Sequence, residues 1–131
     1  MAAFRFRLET VARLREAVRD ERRYQLAEAV RAEQSIQAQL SALLGEANEV
    51  RREAAPSLGA LSLGRFLESH RYARTLELEQ RQLEQQQASV AAEVEARREA
   101  LTVAEQELRL LEKLREKQAE TWRVETERRA A

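Results

Sequence analysis

The stretch AAPSLGALSLGRF, residues 54–66, holds the only proline of the chain, Pro56, and two of its three glycines, Gly59 and Gly64. Elsewhere the sequence avoids helix breakers, Gly45 excepted. Proline cannot continue a helix, and it turns the preceding Ala55 away from the α region. Gly59 tolerates the positive φ that reverses a chain. Ser57 or Ser62 can cap the helix that follows. The simplest product is an all-α fold, an antiparallel two-helix coiled-coil hairpin. A bent chain that dimerises through both helices carries the same local signals.

The flanks supply the two helices. From Ser69 a spacing of three and four residues runs without slip through Leu76, Leu83, Val90, Val94, Leu101, Leu108 and Leu111 to Trp122 and Glu125. A sustained heptad stripe is the mark of a coiled-coil seam. The first half is less regular. Phe4, Leu8, Val11 and Val18 begin a stripe, and Ile36, Leu40, Leu43, Ala47 and Val50 finish one. Between them Arg22 and Glu33 fall near the seam, which predicts a change of phase near the middle of this helix. Helix one is expected over about residues 6–53, the turn over about 54–63 and helix two over about 64–129, all in one domain. If the turn centres on residue 59, residue i faces 118 − i, and Phe4 lies near Leu114. Helix two then overhangs at its C-terminal end by about 15 residues, on the order of 20 Å. Trp122 and Val124 stand on that overhang.

Composition narrows the class. Charged residues make up 35% of the 131 and aromatics 5%, so little bulk is available for a globular core. There is no cysteine, hence no disulfide and no thiolate chemistry. Arginines interrupt the start, MAAFRFRLET, where a signal peptide needs an apolar run. No stretch is long and apolar enough to span a membrane. Charge is zero overall but uneven. Residues 1–23 carry seven basic and four acidic groups, and residues 109–131 carry seven and five. The middle carries nine basic and fourteen acidic groups. A hairpin therefore gathers two positive ends.

Chemistry is sparse. His70, the only histidine, has no cysteine or second histidine at metal-ligand spacing. No Lys-Ser or Lys-Thr follows Gly59 and Gly64, so there is no phosphate loop. Glu77 and Glu79, or Glu93 and Glu95, are two apart on a helix and point different ways. Catalysis, cofactors, metals and a small-molecule substrate are not expected. Basic residues are interleaved with acids, which also speaks against nucleic acid.

Three segments resemble one family. FRFRLETVARLREAVRDE, residues 4–21, looks like the opening of the flagellar export protein FliJ family. RFLESHRYARTLE, residues 65–77, resembles its segment after the turn, and LEKLREKQAETW, residues 111–122, resembles its closing run. Stalk proteins of injectisome secretion systems are close relatives of that pattern. The resemblance implies an antiparallel coiled coil, similar to the central stalk of rotary ATPases, with no enzymatic activity. It implies that the end bearing both termini inserts into the hexameric flagellar export ATPase. It further implies contact with the cytoplasmic part of the export gate membrane protein and with export chaperones, at the cytoplasmic face of the flagellar basal body. By position, the gate contact falls on Phe66, Tyr72, Leu76, Glu79 and Leu83, with Glu79 where the family often has a small residue. The ATPase contact is assigned to Phe4, Arg5, Phe6, Arg7, Arg13, Arg115, Trp122 and Arg123.

Plainer readings stand beside these. Phe4, Phe6 and Leu8 can simply close the open end of the hairpin, and Trp122 can fold back on Gln118 and Arg115. A basic amphipathic start can also lie on a membrane surface. Two other classes share the pattern: a prefoldin-like holdase and a structural coiled-coil dimer or spacer.

Overall fold

The computed structural model describes residues 3–54 and 63–131. The turn read at Pro56 and Gly59, with its caps at Ser57 or Ser62, lies outside the described residues. Two helices account for nearly all of the rest: α1, Glu9–Ala54, and α2, Leu63–Ala130. Their Ala, Leu, Glu, Gln and Arg content favours helix throughout. Glu9 in the first turn of α1, and Arg51, Arg52, Arg128 and Arg129 in the last turns, complement the helix dipoles. Gly64 does not break the chain; it sits in the first turn of α2. The helices pack against each other, as the coiled-coil hairpin requires, and the expected fold class is borne out.

The chain divides into two compact units, Met1–Glu28 with Glu95–Ala131, and Ala29–Val94. In the second unit Ala29, Leu40 and Leu43 of α1, and Leu76 and Val94 of α2, form the buried core. In the first, Phe6, Ala12, Ala104 and Leu108 are buried. Burying a leucine such as Leu108 stabilises by about 2 kcal/mol.

The seam of α2 falls where the spacing predicts, from Ser69 to Arg115, all withdrawn from solvent; beyond it Ala119, not Gln118, is covered. The seam of α1 differs from expectation. An unbroken series of withdrawn residues runs Ala12, Arg15, Arg19, Arg22, Leu26, Ala29, Glu33, Ile36, Leu40, Leu43, Ala47, Val50 in three- and four-residue steps, with Glu16, Val18, Gln25 and Val30 half-buried beside it. There is no change of phase. Val11 faces solvent and Ala12, 1% exposed, takes its place. Arginine stems fill seam positions while their guanidinium groups reach past the edge. Counting only large aliphatics hid this continuity.

Two ion pairs and a hydrogen bond to backbone mark the antiparallel register of the first unit. Arg15 Nη1 donates to Glu107 Oε2 at 2.7 Å, Arg97 Nη1 to the Gln25 carbonyl at 2.6 Å, and Arg115 Nη2 to Glu9 Oε2 at 2.7 Å. The rule 118 − i would set Arg15 against Val103; its partner lies one helical turn further on. Side chains lean toward the N-terminus of their own helix, and in an antiparallel pair that lengthens the offset between contacting residues. In the second unit Tyr72 donates its hydroxyl to Glu46, a pair that does fit the rule.

The N-terminal residues depart furthest from expectation. Ala3–Phe6 lie outside the helix, and Arg7 and Leu8 form a turn closed by Glu9 N–H on the Phe6 carbonyl at 3.1 Å. Chain outside a helix covers more distance per residue than helix does. Phe4 therefore reaches Trp122, with ring centroids 6.1 Å apart, instead of Leu114. This strap covers α2 as far as Trp122. Among the described residues the overhang beyond it is Arg123–Ala130, roughly half the expected length, with Val124 half-buried.

Candidate partner interfaces

The residues assigned to an ATPase contact do converge, because both chain ends belong to the first unit. They are not equivalent. Phe6 is buried, with the Arg115 guanidinium 5.4 Å above its ring. Phe4 is half-buried against Trp122. Arg115 bonds Glu9, and Glu9 also meets Arg13 at 3.7 Å. Phe4 on Trp122 and Phe6 under Arg115 thus make two aromatic contacts at this end of the pair, here called the clasp. Leu8 is half-buried beside them.

Arg5 and Arg7 face outward and make no ion pair among the described residues. Arg123 is already engaged. It donates to Glu120 at 2.6 Å and to Glu127 at 3.0 Å. The hydrogen bond from Arg123, and then its charge, hold the Glu120 carboxyl below its ordinary value, and the same bond raises Arg123. Glu9 was not foreseen, although its i,i+4 spacing to Arg13 is legible in the sequence.

The residues assigned to a gate contact do not share one face. Leu76 is 3% exposed and Leu83 half-buried, both on the seam. Phe66 stands outside, stacked on His70 with centroids 6.4 Å apart. Tyr72 is exposed about 120° around the helix from Phe66, and exposed Glu79 lies near Tyr72. The bond to Glu46, followed by desolvation and the charges of Glu46 and Glu79, raises the Tyr72 pKa, because a neutral phenol is the donor. The outward apolar face around Phe66 is broader than the assigned contact. Leu63 and Leu67 are both exposed there, and Leu78 continues the face. Their spacing of four and eleven residues carried the signal.

Among the described residues no helix is long and apolar enough to cross a membrane. A protein-family model described as flagellar FliJ protein matches residues 4–130, nearly the whole chain. No curated protein and no solved structure matches it.

Proposed function

The chain belongs to the FliJ family, with the role in flagellar export that membership carries, and from that premise we propose that it is a non-enzymatic stalk of the export apparatus. The unit bearing both chain ends inserts into the hexameric export ATPase, promotes ring assembly and links the ring to the membrane gate and to export chaperones. It works in the cytoplasm at the inner-membrane face of the basal body.

The observation that carries this reading is the composition of that end. Residues 1–23 and 109–131 hold fourteen basic and nine acidic groups. In the clasp Phe6 is buried and Phe4 half-buried, while Trp122 stays 37% exposed and Arg5 and Arg7 are presented to solvent. Outward, unpaired guanidinium groups suit an acidic ring lumen and speed the encounter by steering. The clasp residues shape the end, and the free arginines make the charged contacts. On the gate side, Phe66, Tyr72 and Glu79 are the outward members, while Leu76 and Leu83 hold α2 in place beneath them.

Co-purification with the export ATPase tests this reading, scored by hexamer formation and ATP hydrolysis with and without the chain. Arg5→Glu with Arg7→Glu weakens ring binding, most strongly at low salt, where charges act over longer distances. Unchanged binding of that variant at low salt refutes the assignment of the free arginines. Absence of any ATPase complex with the parent chain refutes the stalk itself.

A further inference from the structure

The unit that carries both chain ends has two unlike sides. On one, Arg23 meets Glu105 at 4.0 Å, and Arg19, Arg109 and Glu112 line the same groove. The other side carries an apolar stripe interrupted by Glu107, with Arg15 and Arg22 at its edge. Along α2, Ala100, Val103, Glu107, Leu110 and Leu114 recur every three or four residues, about 100° around the helix from the seam. This is a second heptad stripe. Leu110 is 69% exposed and Val103 53%. From α1, Val18 lines the groove that holds Ala100 and Val103. Val11 and Leu14, at the same spacing before Val18, are exposed. Both stripes stand one residue before their seam positions, which in an antiparallel pair sets them on the same side, the surface a third helix fills in a three-stranded coiled coil.

The charges around the groove say what kind of helix. Arg15 already bonds Glu107 across it, so that carboxylate is satisfied. Lys113 and Lys117, the only lysines of the chain, flank Leu110 and Leu114, with Glu116 behind them. Neither lysine makes an ion pair among the described residues. Exposed Glu21 and Glu99 stand at the other end of the groove. We infer that this groove binds an amphipathic helix of a partner protein, with a leucine-type stripe seated against Val103, Leu110, Leu114 and Leu14 and with acidic residues over Lys113 and Lys117. The seam of this unit, with Arg15, Arg19, Arg22, Arg97 and Arg115 at core positions, is poor in large apolar residues. The third helix supplies the burial that the pair lacks. None of Leu14, Val103, Leu110, Lys113, Leu114 and Lys117 is among the residues assigned to the ring contact, so substitutions here and at Arg5 and Arg7 are read apart.

The probes are two fluorescent synthetic helices of about 20 residues, roughly 30 Å long. They share one leucine stripe at three- and four-residue spacing and differ only in flanking residues, glutamate or lysine. Anisotropy titration of the full chain at low salt is expected to show the glutamate helix binding at least about tenfold tighter. Leu110→Glu abolishes that binding with helicity unchanged, since the residue is exposed in the free chain. Lys113→Glu with Lys117→Glu reverses the preference. Equal binding of both helices overturns the inference, as does binding that survives Leu110→Glu. A chain that sediments as a dimer and becomes a monomer on Leu110→Glu overturns it too, because the occupant is then a second copy.

Discussion

Arg115→Ala removes the residue on which the clasp at the chain ends converges. Its guanidinium bonds Glu9 at 2.7 Å and lies 5.4 Å over the Phe6 ring. Its stem fills a seam position, with the side chain 35% exposed. An ion pair this open to solvent contributes about 0.5 kcal/mol. The cation–π contact adds about 0.5–1 kcal/mol, and the packed stem a similar amount. Against these, Arg115 Nε is buried without a hydrogen-bond partner, a cost that the substitution relieves by about 1 kcal/mol. The net loss is about 1 kcal/mol. Trp122, the only tryptophan, touches Phe4 and therefore reports on the clasp. Urea unfolding followed by Trp122 emission should show a lower midpoint and, before the transition, a red-shifted, more easily quenched indole. Arg115→Met keeps the stem and relieves the buried Nε, so it should cost less than the alanine variant. If Trp122 emission and the urea midpoint of Arg115→Ala match the parent, the clasp is not a stabilising unit and the reasoning fails.

Other consequences follow from the same geometry. Gly45 lies inside α1, and a Cβ there meets nothing within 4 Å, so Gly45→Ala should stabilise by about 1 kcal/mol in thermal unfolding. Leu108→Ala should cost about 2–4 kcal/mol, whereas Leu110→Ala, two residues and about 3 Å further along the axis but on the open stripe, should stay within about 0.5 kcal/mol. The carboxyl of Glu120 is lowered by Arg123, so their pair is complete at neutral pH and fades as pH falls through that lowered value. Amide exchange in the last turns of α2 should then quicken relative to an Arg123→Gln variant, which lacks that pH dependence. The Tyr72 phenol should titrate above its ordinary range in absorbance, and Glu46→Gln should bring it down.

Much of the fold was legible because helix and seam share one signal. The stripe from Ser69 to Arg115 reads directly from spacing, and burial follows it. The seam of α1 was legible in period but not in composition. Ala12, Arg15, Arg19 and Arg22 hold positions where a reading by hydrophobicity looks for leucine, and Val11 and Leu14 lie outside it. The strap was not legible. FRFRL, residues 4–8, carries no breaker, and its non-helical course depends on Phe6 and Phe4 finding Arg115 and Trp122 across the pair. Among the candidate contacts, heptad arithmetic already set Leu76 on the seam, and the family pattern also drew it into the outward set. Spacing alone could have separated Phe66 from Tyr72, since six residues turn a helix through about 600°.

Site-specific photo-crosslinking puts the central claim to the test most directly. A benzophenone side chain is placed at Arg7, on the unit bearing the chain ends, or at Leu67, near the start of α2, and each variant is irradiated with the assembled export ATPase. The stalk account predicts crosslinks to the ring lumen from position 7 and none from position 67. Crosslinks from position 67 with none from position 7 would contradict it.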